Sequence, residues 1–209
     1  QTTDTPVNNF ATGNPLIANA NVEYSEGNLN SYLTYTGEWR WTASTIGASA
    51  GKYYSEYKIS AIGSEVAIGI MDLGQSTGVI PTQTSANDFV GKFTNSISYT
   101  SSGSLYKDNA VTQSSVGTYT TNDIISVAMD LNSNTVQFYK NDVAIGTPVS
   151  ITSGLTYNIG VSGYGDARVL WNMGNPPFTI SSGNADANGY GNFEYAVPSG
   201  YFALCTKNL

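Results

Sequence analysis

With 209 residues, 40% of them hydrophobic, the chain can bury a substantial core and falls in the length range of one large β-sandwich. Charged residues make up only 11%, well below the usual quarter, and Ser, Thr and Asn take their place beside 15 Tyr and 22 Gly. A net charge of −7 and a pI near 4.3 exclude nucleic acid, because eight scattered Lys and Arg cannot form the basic stripe that phosphates require.

In chain order, residues 1–20, with Pro6, Pro15 and the pair Asn8-Asn9, predict an extended segment laid along the sandwich. Trp39 and Trp41 stand two apart, on one face of a strand and in the core. The run from Lys52 to Ile59 predicts a strand with Tyr53, Ser55, Tyr57 and Ile59 on one face and Tyr54, Glu56 and Lys58 on the other. Glu65 to Ile70 is nearly all apolar, hence buried on both sides. Residues 72–87, rich in Gly, Ser and Thr, read as a long loop made pliable by Gly74 and Gly78.

Asp123 to Leu131 is a central strand, turned by Asn132-Ser133-Asn134 into Thr135 to Lys140. Asn141-Asp142 then turns the chain into Val143 to Gly146. Further strands are predicted at Thr156 to Ser162, Ala167 to Met173 (with Trp171 in the core) and Tyr201 to Thr206. Residues 179–196 form the longest irregular stretch. Helical periodicity is absent, and turns recur at sandwich spacing.

The chain contains no His, which removes Ser–His and Cys–His activation and the commonest zinc ligand. The lone Cys205 forms no internal disulfide and reads as a buried, inert thiol. No strand carries two acids at the alternating spacing a glycosidase would need, so no enzyme activity is expected. Asp166 with Asp186, or Asp72 with Asp88, would have to meet in space to hold calcium, and nothing in their spacing points there. No cofactor is expected. No run of 18 apolar residues suggests membrane insertion, and no basic-then-apolar leader opens the chain. Since it starts at Gln1 and closes on a strand-like run at Leu209, a piece of a longer polypeptide is expected. Aromatics set among Gly and Asn, Tyr164 in Gly163-Tyr164-Gly165-Asp166 and Tyr190 in Gly189-Tyr190-Gly191, are the candidate contacts, with Asp166 and Arg168 adding directional hydrogen bonds. The alternative is that these rings fold back as lids on the sandwich edge.

The order Gly51-Lys52-Tyr53-Tyr54-Ser55-Glu56, Ala67-Ile68-Gly69-Ile70, Asp123 to Leu131, Val136-Gln137-Phe138-Tyr139-Lys140-Asn141 and Asn172-Met173-Gly174-Asn175-Pro176-Pro177-Phe178 resembles the SPRY (B30.2-like) domain over residues 51–178. Segments 4–16 and 200–209 look like flanks of such modules in bacteriophage virion and tail-fibre proteins. The chain departs from the pattern at Met173, where Phe is usual, at Asp142, where Gly is usual, and in the length of 179–196. The resemblance implies an all-β, concanavalin A-like jelly-roll sandwich of two antiparallel sheets. It implies one domain over 1–209, with core motifs at 51–178 and flanks at 1–50 and 179–209. It further implies a non-catalytic module that binds ligands through loops at one end, with Tyr99 and Tyr106 joining Tyr164 there. The expected setting is virion or extracellular, and the expected partners are a host cell-surface glycan or protein. The alternative role is a decoration or spacer domain touching other virion proteins. Homo-oligomerisation is left open by the sequence.

Overall fold

The computed structural model describes residues 4–18, 20–34, 37–74, 81 and 86–209, and among these there is no helix. Among the described residues fourteen strands form two sheets. They are β1 Val22–Ser25, β2 Asn30–Leu33, β3 Trp39–Ala48, β4 Lys52–Ala61, β5 Glu65–Asp72, β6 Ser96–Thr100 and β7 Ser104–Lys107, then β8 Ala110–Ser114, β9 Ile124–Asp130, β10 Thr135–Lys140, β11 Val143–Ser150, β12 Tyr157–Tyr164, β13 Ala167–Asn172 and β14 Phe202–Ala203. The larger sheet has the order β1-β2-β13-β4-β9-β10-β11, with β14 added to β4, and the smaller β3-β12-β5-β6-β7-β8. All pairings are antiparallel except the two-residue β14–β4 contact. The expected jelly-roll sandwich is therefore the fold.

Alternation sets the faces. Tyr53, Tyr57 and Ile59 of β4 point inward with Ile125, Val127 and Met129 of β9 and Val169 and Trp171 of β13, against Val66, Ile68, Ile70 and Val161 of the facing sheet. Trp171 lies edge-on to Tyr57, with centroids 5.5 Å apart, and donates its indole N–H to Ser31 Oγ at 2.8 Å. Asn141 and Asp142 adopt φ of 47° and 69°, the paired left-handed conformation of a two-residue hairpin, so the Asp that replaces the usual Gly still makes the turn.

Both sheets are covered on their outer faces too. Phe89, Val90 and Phe93 lie over the smaller sheet, burying Trp39, Trp41, Ala67 and Met71. Trp39 and Trp41 are thus buried on one face, as expected, but under this outer cover rather than in the central core. The cover sits low because Gly69 of β5 and Gly160 of β12 stand opposite one another, and a Cβ at Gly160 would meet Val90 Cγ2 at 2.7 Å. Gly69 is more tightly constrained, since a Cβ there would stand 1.8 Å from the carbonyl oxygen of Ile97 on the paired strand. Gly69→Ala is expected to cost about 1–3 kcal/mol in chemical denaturation by forcing β5 and β6 apart. A change below about 0.5 kcal/mol would contradict this.

On the larger sheet the cover is the C-terminal segment with the N-terminal one threaded beside it. Ala11 N donates to Leu204 O at 2.9 Å and Thr206 N to Asn9 O at 3.0 Å. The expected strand over 201–206 is therefore only Phe202–Ala203, because the rest of that apolar run pairs with residues 9–11. Where described, residues 1–20 run beside the sandwich but turn at 6–7 and 15–17 instead of staying extended throughout as expected, and Cys205 is buried. Of the loop expected at 72–87, residues 75–80 and 82–85, including Gly78, lie outside the described residues, and Asp72 belongs to β5. Strands β1, β2, β6, β7 and β8 complete the sheets beyond those expected.

Candidate functional site

Among the described residues five connections meet at one end of the sandwich, called here the upper rim: 62–64, 101–103, 115–123, 141–142 and 165–166. Three of them are locked together by their backbones. Ser64 N donates to Tyr164 O at 2.7 Å, Ser101 N to Val66 O at 2.8 Å, and Val66 N to Ser101 Oγ at 3.1 Å. Ser102 Oγ donates to Glu65 Oε1 at 2.5 Å. Gly63 lies against the 165–166 turn so closely that a Cβ would fall 2.0 Å from Gly165 O. From below, the Tyr119 hydroxyl shares its proton between Val66 O at 2.8 Å and Tyr99 O at 3.1 Å. Burial pushes the Tyr119 phenol well up, so it stays a neutral donor. The rim is pre-organised rather than loose.

The candidate contact residues do not all converge. Tyr164 ends β12 at the lip of this rim, half-buried, its ring 6.0 Å from that of Trp39. Trp39 stacks on Phe89 at 4.4 Å, and Phe89 meets Tyr106 edge-on at 5.1 Å. Tyr164 and Tyr106 thus flank one buried aromatic shelf on the outer face of the smaller sheet. Asp166 is exposed in the turn, with φ 56°. Arg168 is also exposed, but β13 belongs to the other sheet, so its side chain leaves from the opposite face to that of Tyr164.

Two expected contacts are displaced. Tyr99 points into the sandwich, fully buried, and donates to Gly117 O at 2.5 Å, with burial pushing its phenol up to about 12. The reason is alternation: Ser98 and Thr100 take the outer face of β6, which leaves Ile97 and Tyr99 inside. Tyr190 folds back, half-buried, onto the larger sheet beside Phe10 and Phe193, with Lys207 5.5 Å above its ring. It takes the lid-like alternative. Asp186 accepts four hydrogen bonds, from Asn188 N, Tyr190 N, Ala203 N and Asn208 Nδ2, which commits it to holding the C-terminal segment. Among the described residues no three His, Cys, Asp or Glu side chains gather to hold a metal ion.

A model of the SPRY domain family matches residues 52–161, just over half of the chain. The chain belongs to the SPRY-domain family. The SPRY domain of human HERC1 superimposes with a TM-score of 0.61 at 17% identity, covering 76% of this chain and 96% of that one. The PSpry domain of TRIM65 gives 0.59 at 15%, covering 78% and 88%. Stonustoxin gives 0.55 at 19%, covering 78% of this chain and 27% of that one. At such identities the likeness is one of fold. A comparison with curated proteins finds no match. SPRY domains are protein-interaction modules, generally non-catalytic.

One residue that sequence reasoning missed explains how this SPRY domain keeps its long C-terminal cover. Glu56, alone among acids on β4, is fully buried. Its Oε1 accepts from Tyr195 N at 2.8 Å and the Tyr54 hydroxyl at 3.1 Å, and its Oε2 from Glu194 N at 2.9 Å and Asn172 Nδ2 at 3.1 Å. The available signal was an acid on the outer face of a strand between Tyr54 and Lys58, opposite the uncharged Ser126. The segment 179–196 thereby lies over the larger sheet.

Proposed function

We propose that this SPRY domain is a non-catalytic recognition module whose ligand docks on the upper rim against Tyr164, with Asp166 beside it and Tyr106 at the far side of the shelf. The observation that carries the reading is the rigid joining of the 62–64, 101–103 and 165–166 turns, with a half-buried tyrosine at their lip. A pre-organised surface loses little entropy on binding, and a tyrosine ring offers a large contact with a polar end. The terminal segments, which look like flanks of virion and tail-fibre modules, support placing the domain on a phage particle outside the cell. Its ligand there is a host cell-surface glycan or protein.

The test is adsorption of the full chain to host cells and to arrays of their surface glycans. Tyr164→Ala is expected to reduce adsorption at least about tenfold, a loss of the size seen for an aromatic anchor. Unchanged adsorption by a folded Tyr164→Ala protein would remove the site. If the domain instead sits in a regular lattice on the head or shaft and binds no cell, the decoration or spacer role replaces this one.

A further inference from the structure

The outer face of the larger sheet is only partly covered. The C-terminal segment lies over β4, β9 and β10, whereas a separate cleft of about 240 Å³ is lined by Glu23, Tyr24, Ser25, Asn30, Tyr32 and Arg168. We propose that this cleft binds a carboxylate-bearing sugar residue, with the Arg168 guanidinium taking the carboxylate.

The register builds the cleft. Glu23 of β1, Tyr32 of β2 and Arg168 of β13 stand directly opposite one another across three strands, all on the outward face. The Arg168 guanidinium lies 4.0 Å above the centre of the Tyr32 ring. That contact seats the guanidinium over the ring, a placement compatible with bidentate pairing of its N–H groups. Among the described residues the ion pairs are Arg40–Glu38, Lys52–Asp130 and Lys140–Asp123, and Arg168 is in none of them. In a chain of net charge −7 with only eight Lys and Arg, an exposed arginine seated over a ring and in none of these ion pairs is suited to receive an anion.

The rest of the lining narrows the anion. Glu23 stands two strands from Arg168, about 10 Å at ordinary strand spacing. It repels multiply charged phosphate or sulfate chains but accepts hydrogen bonds from hydroxyls. The Asn30 amide donates to Ser25 Oγ at 2.9 Å, and its own Oδ1 has no donor from the chain. One guanidinium, one carboxylate acceptor, an amide and a hydroxyl in a row suit a singly charged polyol. Tyr32 acts as a positioning residue, because its ring face is already taken by Arg168. This site is separate from the upper rim, and either can fail without the other.

Titration of the isotopically labelled full chain, followed by its amide and Arg Nε–H resonances, tests the assignment. N-acetylneuraminic and galacturonic acids are expected to shift resonances of 22–25, 30–33 and 167–170, with a Kd on the order of millimolar for a single residue. Arg168→Leu should weaken this at least about tenfold, the loss expected for a charge-assisted bidentate contact, and Arg168→Lys should restore only part of it. Tyr164→Ala should bind the sugar acids as the wild type does. The proposal is overturned if galactose, acetate or inorganic phosphate binds as tightly, if the shifts map elsewhere, or if a folded Arg168→Leu protein binds unchanged.

Discussion

Replacing Glu56 with alanine is expected to cost about 3–5 kcal/mol of folding stability, a large share of what a domain of this size possesses. The magnitude follows from what is left behind. Around a fully buried carboxylate, two backbone N–H groups lose their acceptor, while the Asn172 amide and the Tyr54 phenol each lose one of two partners. Urea denaturation would measure the loss, and limited proteolysis would show cleavage appearing first within 174–209, the segment Glu56 holds. A loss below about 1 kcal/mol would contradict the anchoring role.

The same residue gives a pH signature. Burial raises the Glu56 carboxyl above its ordinary value of 4.5, and the hydrogen bonds to Tyr195, Glu194, Tyr54 and Asn172 only partly offset that. The folded state therefore holds the proton more tightly than the unfolded chain. This contribution is fully present below pH 4.5 and is lost as the pH rises through the raised folded value. Asp123 and Asp130 act in the other direction. Burial alone would raise them, but Thr120 N, Asn141 and Lys140 at Asp123, and Lys52 and Ser133 at Asp130, together hold both below 3.8. Their contribution is present above pH 3.8 and fades as the pH falls through their depressed values. Glu56→Gln should flatten the decline above pH 4.5 while leaving the acid limb in place.

Trp171→Ala is the second large effect, expected at about 3–5 kcal/mol. The ring is fully buried between the sheets, edge-on to Tyr57, so its removal leaves a cavity that the two rigid sheets cannot close. Its indole N–H also holds Ser31 Oγ, within a strand that carries Tyr32 on its other face. Trp171→Phe keeps most of the volume and removes that hydrogen bond, and should cost about 1–3 kcal/mol. If the two substitutions cost the same, the hydrogen bond rather than the packing would be the larger contribution, contrary to this account.

These residues also show what the sequence makes legible. Trp171 is readable because Val169, Trp171 and Met173 recur at every second position between Arg168 and Gly174, and the same period-two signal finds β4, β9, β10, β12 and β13. Strands β6 to β8 are harder to see, since Ser and Thr fill the outward positions and β8 carries no core residue except at its margin. Yet Ser96-Ile97-Ser98-Tyr99-Thr100 does alternate, and reading it as a strand would have placed Tyr99 inside. The covers are less legible still. An apolar run such as Ala203-Leu204-Cys205 reads as a strand whether it pairs along its length or lies across a sheet. Nothing local to Glu56 or Asp186 reveals donors arriving from more than a hundred residues away or from a folded-back segment. Tyr164 and Arg168, four positions apart, read as one site. The sheet change at the 165–166 turn separates them, and that is a property of topology rather than of spacing.

Hydrogen exchange on the full chain, free and bound to host cell-envelope material, tests the recognition surface most directly. Protection concentrated in 62–64, 101–103 and 164–166 is the predicted result. Protection concentrated on 174–209, or none at all under conditions where the chain is bound, would contradict it.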